Sequence, residues 1–187
     1  MDHYVDLTLL PDPEITQLHL MGALFSKLHR ALVAQRSEHV GISFPAVQAD
    51  RVWLGECLRL HGSQVQLTSL MATPWLIGLR DHVQTTAVLA VPAHAAFRVV
   101  SRVQAKSSPD RQRRRQMRRH GLTQAQAQAR IPDAAAERLD LPYVQLQSQS
   151  TVQTFRLFIQ HGPLTETAKP GLFSAYGLSP TATIPWF

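Results

Sequence analysis

Apolar and polar residues alternate from Tyr4 to Leu10, with Val5, Leu7 and Leu9 on one side and Asp6 and Thr8 on the other. A period of two is that of a half-buried strand. Pro11-Asp12-Pro13 breaks it, and the period then changes. Over residues 15–34, Leu18, Met21, Leu24, Phe25, Leu28 and Leu32 recur at helical spacing and make one apolar stripe. His39–Phe44 reads as a second strand ended by Pro45, and Val52, Leu54, Leu58 and Leu60 alternate along a third. Residues 65–72 suit a short helix that stops ahead of Pro74, and Val83–Val91 suits a fourth strand. The order β-α-β-β-α-β is the ferredoxin-like pattern, shared by RNA-recognition folds.

Val91-Pro92-Ala93-His94-Ala95 interrupts the pattern and marks a boundary. Beyond it the chain predicts a strand over Phe97–Gln104, a helix over 109–120, a polar helical stretch over Thr123–Arg130, and strands over Tyr143–Gln149 and Thr154–Gln160. A tail punctuated by Gly and Pro closes on Pro185-Trp186-Phe187. The expected class is α+β: a ferredoxin-like domain over 1–94, then a smaller α+β half over 95–187 built around an arginine-rich helix. No aromatic stacking motif of the usual RNA-recognition kind is present, so the pattern of elements does not by itself name a function.

Charge changes the picture. The formal net charge is +6, spread unevenly. Up to Phe97 there are six Lys/Arg against eight Asp/Glu; from Arg98 onward there are thirteen against five. A polyanion binder whose contact surface lies in the back half has this asymmetry. The charge is densest at 109–120. Ser108-Pro109-Asp110 is a helix start, with an N-cap serine, proline in the first helical position and an acid in the first turn, and Gly121 is a stop. At about 100° per residue, Arg111, Arg114, Arg115, Arg118 and Arg119 fall within an arc of roughly 140°, while Arg113 lies on the other side. Five like charges on one face repel, and a polyanion is the missing counter-charge. A helix can enter a nucleic-acid groove and reach phosphates, and arginine can fork onto guanine edges. A solvated basic face, or a surface for an acidic protein, is the plainer alternative. Arg102 and Gln104, two apart on the preceding strand, point the same way and could read base edges.

Composition narrows the chemistry. A single cysteine, Cys57, excludes a disulfide framework and a thiolate zinc site. The acidic start Met1-Asp2-His3-Tyr4 leads into no apolar segment, and no run approaches membrane length. A cytoplasmic protein without membrane contact is expected. No His-Glu-x-x-His, Walker loop or GxSxG elbow is present, and the scattered acids argue against a paired-carboxylate metal nuclease. Acid–base chemistry without metal or cofactor remains, with histidine as its agent. His29 lies about 80° from the centre of the apolar stripe on the first helix, a flank where a side chain can be partly buried and still reach a cleft. On periodicity alone a structural hydrogen bond at that boundary explains it better.

The joint set of short motifs is more telling. Lys27-Leu28-His29, Gly41-Ile42-Ser43-Phe44-Pro45, Ser101–Ser107, the arginine helix, Ser148-Gln149-Ser150-Thr151, Phe155-Arg156-Leu157-Phe158-Ile159, Tyr176-Gly177-Leu178-Ser179 and the final Pro185-Trp186-Phe187 together resemble the type I-F CRISPR repeat-processing endoribonucleases. The likeness runs along essentially the whole chain. It implies a metal-independent enzyme that recognises a hairpin in each CRISPR repeat of a precursor RNA. Such an enzyme cuts once at the 3′ base of the stem by 2′-OH attack, leaving a 2′,3′-cyclic phosphate and a 5′-OH. It then keeps its hairpin product as a subunit of a surveillance complex. Under the resemblance His29 is the proton acceptor, Ser148 holds the 2′-OH in line and Tyr176 orients the site. Phe155 is the platform under the last base pair, Arg102 and Gln104 read bases near the cut, and Arg114, Arg115, Arg118, Arg119 and His120 lie in the groove. Two alternatives stand beside it: a non-catalytic RNA-hairpin-binding subunit, and a DNA-binding regulator with a helix-turn-helix over 109–130.

Overall fold

The computed structural model describes residues 1–48, 52–104, 109–131, 139–147 and 153–187, with the side chains of 109–111 left aside. These residues form two compact units, Met1–Val103 with Leu141–Phe187, and Gln104–Asp140. The class is α+β.

The larger unit holds two antiparallel sheets. The first contains β1 (His3–Leu9), β2 (Gly41–Ser43), β3 (Cys57–Gly62), β4 (Val83–Thr85) and β5 (Leu89–Ala90). Its order is β2-β3-β1-β4, with β5 also on β1. Together with α1 (Gln17–Ala34) and α2 (Gln64–Ala72), this is the arrangement that the β-α-β-β-α-β order demands. The alternation seen in sequence is real: Val5, Leu7 and Leu9 are buried, as are Leu58 and Leu60 opposite them. The α1 stripe packs on this face, with Met21, Leu24, Phe25, Leu28 and Leu32 buried. Capping sets the helix starts. The Thr16 hydroxyl accepts from the His19 N–H, and Ser63 and Gln66 form a reciprocal capping box at α2.

The second sheet has the order β7-β8-β6-β9, from β6 (Ala96–Val103), β7 (Tyr143–Gln147), β8 (Thr154–His161) and β9 (Thr183–Trp186). Its apolar face, including Val100, Val144, Leu157, Ile159 and Ile184, joins the core of the first sheet. Helix α1 bridges the two. β7 is an edge strand, and the edge is covered by α1 at Gly22, where a Cβ would stand 2.5 Å from the Gln145 carbonyl oxygen. Glycine is required there by proximity, and the contact hides backbone groups that an open edge would leave unpaired.

Three elements differ from the pattern along the chain. The strand expected over Val83–Val91 is split. Leu7 faces Thr85 but Tyr4 faces Leu89, so one extra residue is inserted between the two pairings. This is a bulge, at which Thr86 supplies its hydroxyl to the Asp6 N–H. The third strand begins at Cys57 because Gly55 sits at φ 82, a left-handed conformation that ends extended backbone. The tail ends in a strand, β9, where Pro185 is tolerated at the sheet edge because an edge position needs no N–H on its outer side.

The smaller unit pairs α3 (Pro109–His120) with α4 (Gln124–Arg130). Gly121 ends α3 at φ 62, its N–H donating to the Met117 carbonyl. Thr123 and Gln126 form a capping box on α4. The expected N-cap Ser108 lies outside the described residues.

Candidate functional site

His29 comes to its position through the α1 stripe. Phe25, one turn earlier, is buried and anchors that face of the helix; His29, at the stripe's flank, is half-buried. The partner comes from a tight turn at 174–177. The Gly177 N–H donates to the Ser174 carbonyl, the Ser174 N–H donates to the Leu178 carbonyl, and the Tyr176 N–H donates to the Ser174 hydroxyl. The turn is pinned to the first sheet by the Ile42 N–H, which donates to the Gly177 carbonyl at 2.9 Å. Gly177 has φ 69, and a Cβ there would lie 2.6 Å from Ile42 Cγ2. Conformation and space both require glycine.

The turn delivers two groups to His29. The Ala175 carbonyl lies 2.8 Å from His29 Nδ1, and the Tyr176 ring stacks on the imidazole, with centroids 4.1 Å apart and planes 9° from parallel. A carbonyl only accepts, so Nδ1 carries hydrogen and donates. In the neutral ring the lone pair is then at Nε2. The stack continues inward from Tyr176 to Phe25 at 6.0 Å and from Phe25 to Phe44 at 6.4 Å. The exposed Arg102 places its guanidinium carbon 5.8 Å from the Tyr176 centroid, within cation–π range. The result is an oriented imidazole, stacked on a ring that is buttressed by the core, with a permanent cation nearby. It suits proton transfer at Nε2 beside a negatively charged group.

Of the residues singled out in sequence, the fold thus gathers His29, Tyr176 and Arg102. Phe155 is half-buried on β8, paired with Leu146 and packed against the core. Ser148 lies outside the described residues; β7 ends one position before it, at Gln147. Gln104 is exposed and follows the end of β6, in the smaller unit. Periodicity gave no sign of the Ala175 carbonyl, Phe25 as a buttress, or the Ser174–Gly177 turn. Only the Tyr176-Gly177 pair hints at a turn, and nothing in sequence says which side chain it meets.

A second pairing invites the same chemistry and does not support it. Ser43 Oγ and His61 Nε2 are 2.8 Å apart, but both residues are buried inside the first sheet. Burial holds the His61 imidazole down at about 3, so it stays neutral, and no reactant can approach it. Burial likewise pushes the Cys57 thiol up to about 11, leaving it a poor nucleophile. Among the described residues no three His, Cys, Asp or Glu side chains cluster as metal ligands, and no helix is long and apolar enough to cross a membrane.

The arginine helix divides as its periodicity predicts. Arg114, Arg115, Arg118, Arg119 and His120 are exposed, while Gln112, Arg113, Gln116 and Met117 are half-buried. Arg113 turns away from the arc, and its Nε donates to the Ile131 carbonyl at 2.8 Å, capping the end of α4. The Arg111 side chain lies outside the described residues. Elsewhere, Asp2 pairs with His3, Asp6 with Arg59 and Asp12 with His82.

Comparison with known proteins gives consistent relatives. The family model described as "CRISPR-associated protein (Cas_Csy4)" matches residues 4–187. The chain is 56% identical over 187 residues to the "CRISPR-associated endonuclease Cas6/Csy4" of Pseudomonas aeruginosa (strain UCBPP-PA14), covering 100% of both. It is 49% identical, again over 100% of both, to the protein of the same name from Escherichia coli (strain UTI89 / UPEC). A solved structure described as "An RAMP protein binding different RNA substrates" aligns over 98% of this chain and 99% of its own, at 11% identity and a TM-score of 0.38.

Proposed function

Because the chain belongs to the Cas_Csy4 family of CRISPR-associated proteins, we propose that it is a metal-independent endoribonuclease that cuts the repeat hairpin of precursor CRISPR RNA. The observation that carries this reading is the His29 arrangement. Its Nδ1 is committed to the Ala175 carbonyl and its ring is clamped on Tyr176, so Nε2 is the atom left to take a proton.

In this mechanism His29 Nε2 accepts the proton of the ribose 2′-OH next to the scissile phosphate. The 2′-oxygen forms a bond to phosphorus as the bond from phosphorus to the 5′-oxygen breaks, and the leaving oxygen takes up a proton. The products are a 2′,3′-cyclic phosphate and a 5′-OH. In-line attack is chiefly a problem of orientation. Ser148 holds the 2′-OH, and Tyr176 keeps the imidazole plane fixed. Phe155 stacks under the last base pair of the stem, and Arg102 and Gln104 read bases beside it. Arg111, Arg114, Arg115, Arg118, Arg119 and His120 line the stem groove and neutralise phosphates. The A-form major groove of a long duplex is too deep and narrow for a helix; a short hairpin opens it near the stem end and loop. The hairpin product stays bound, and the protein serves in the cytoplasm as a subunit of a type I-F surveillance complex.

Single-turnover cleavage of a type I-F repeat hairpin in EDTA tests this, run beside the same RNA with 2′-deoxyribose at the scissile nucleotide. Cutting of the first and tight binding without cutting of the second is expected. Binding of both with cutting of neither would overturn the catalytic roles and leave an RNA-holding subunit.

A further inference from the structure

A short crossing of the chain leaves a cavity against the second sheet. Phe97 and Pro185 are cross-strand partners on β6 and β9. Alternation puts them on the face opposite to Val100 and Ile184, which join the core. Thr165 pairs with Phe97 on the side of β6 away from β9. At the outer edge of β9, the Thr183 N–H donates to the Lys169 carbonyl at 3.0 Å, and the Lys169 N–H donates to the Thr183 hydroxyl at 2.8 Å. Residues 165–169 thus span the β6–β9 pair, and a cavity of about 320 Å³ opens beside them.

Three features bear on its occupant. The floor is apolar, with Phe97, Phe173 and Pro185, and Met1, 40% exposed, and the exposed Pro170 stand at the mouth. The charge is of one sign. Lys169 and His39 line the cavity and no Asp or Glu does; Glu38 and Glu166, near them in sequence, are outside the lining. The Lys169 backbone is pinned to β9, while its ammonium has no partner among the described residues. Lastly, a single permanent cation cannot follow a nucleic-acid strand, which presents a charge at every nucleotide and calls for a row of cations such as α3 carries. An apolar floor beside one unpaired cation fits an apolar side chain with a carboxylate next to it, the chemistry of a protein segment. We infer that the cavity docks another protein of the proposed RNA–protein complex through such a segment, its apolar side chain in the cavity and its Asp or Glu on Lys169. The inference rests on the reading above that the chain serves as one subunit of a complex. The lining shares no residue with the His29 site or with the assigned RNA contacts, so docking and cutting are separable.

The test measures association of the hairpin-loaded protein with the other proteins of its own CRISPR operon, purified together on a guide RNA that ends before the hairpin. No RNA then links the two, and a direct protein contact is what is read. Ala168→Trp obstructs the mouth from an exposed lining position, and Lys169→Glu reverses the charge. Each should weaken association by about 30-fold or more, the effect of unpairing a buried interfacial charge or closing its pocket, while Lys169→Arg stays within a few-fold of the parent. Hairpin affinity and cleavage should be parental in all three, which also controls for folding. A photoreactive side chain at position 168 should crosslink to a protein segment that carries an Asp or Glu beside an apolar residue. Parental association by both disruptive variants, or a crosslink to RNA, overturns the inference. A parent that cuts the hairpin and does not associate sinks the docking cavity alone; a parent that neither binds nor cuts the hairpin sinks the functional reading beneath it.

Discussion

At the scale of single residues, the candidate site depends on a glycine that performs no chemistry. Gly177 lets the 174–177 turn run under Ile42, and the turn carries both the Ala175 carbonyl and the Tyr176 ring to His29. A methyl group at 177 would have to move the turn or the β2 strand, and φ 69 strains any other side chain besides. Gly177→Ala should therefore slow cleavage by about 10²-fold, the effect of misplacing a reacting group by about an ångström. RNA affinity should hold within a few-fold, since the arginine helix is elsewhere in the chain. His29→Ala is the reference: hairpin binding retained, cutting lost. Rate and affinity measured on the same RNA decide the matter. A Gly177→Ala protein that cuts at the parental rate would show that the turn does not position the imidazole, and equal loss of binding and cutting in His29→Ala would make His29 structural.

Among elements, α3 differs most from the rest. Its exposed arginines repel one another, and it holds its place in its unit through the opposite face, where Arg113 caps α4 and Met117 is half-buried. Residues of the two faces should thus fail differently. Arg115→Ala and Arg118→Ala should each weaken hairpin binding and reduce the salt slope by roughly 1, with thermal stability unchanged. Salt titrations of both variants check this, and parental slopes would remove α3 from the RNA interface. The element was legible in sequence because helix caps and a 3.6-residue period are local properties. The split fourth strand was not, since a bulge is set by the pairing of β4 and β5 with β1, residues some eighty positions away.

At the scale of the whole molecule, two histidines tie stability to pH. Burial, with the neighbouring Arg59 charge, holds His61 down at about 3, and burial, with Arg98, holds His161 down at about 4. Both lie below the ordinary 6.5, so the unfolded chain binds more protons than the native one between these limits. Stability is complete above about pH 6.5 and falls as the pH drops towards 4. At pH 5 His61 alone, at ~1.4 kcal/mol per pH unit, should cost roughly 2 kcal/mol. His61→Gln can keep a bond to Ser43 without a titrating group, and should show a smaller loss of melting temperature between pH 7 and pH 5 than the parent. An unchanged loss would exclude His61 as a source of the acid sensitivity.

The same scale divides what was readable from what was not. The periods of two and 3.6, the stop at Gly121, the one-sided arginine arc and the flank position of His29 all follow from the amino-acid order, because each is a relation between residues within a turn or two of one another. The family, too, was readable, because its short motifs are spread along the whole chain. That β7 lays its edge on Gly22, that a carbonyl 146 residues away orients His29, and that Arg59 and Arg98 end up beside the imidazoles of His61 and His161 had no local signature. Those contacts are chosen only when two sheets share one core, and the free energy of that burial, summed over the whole unit, sets which distant groups meet.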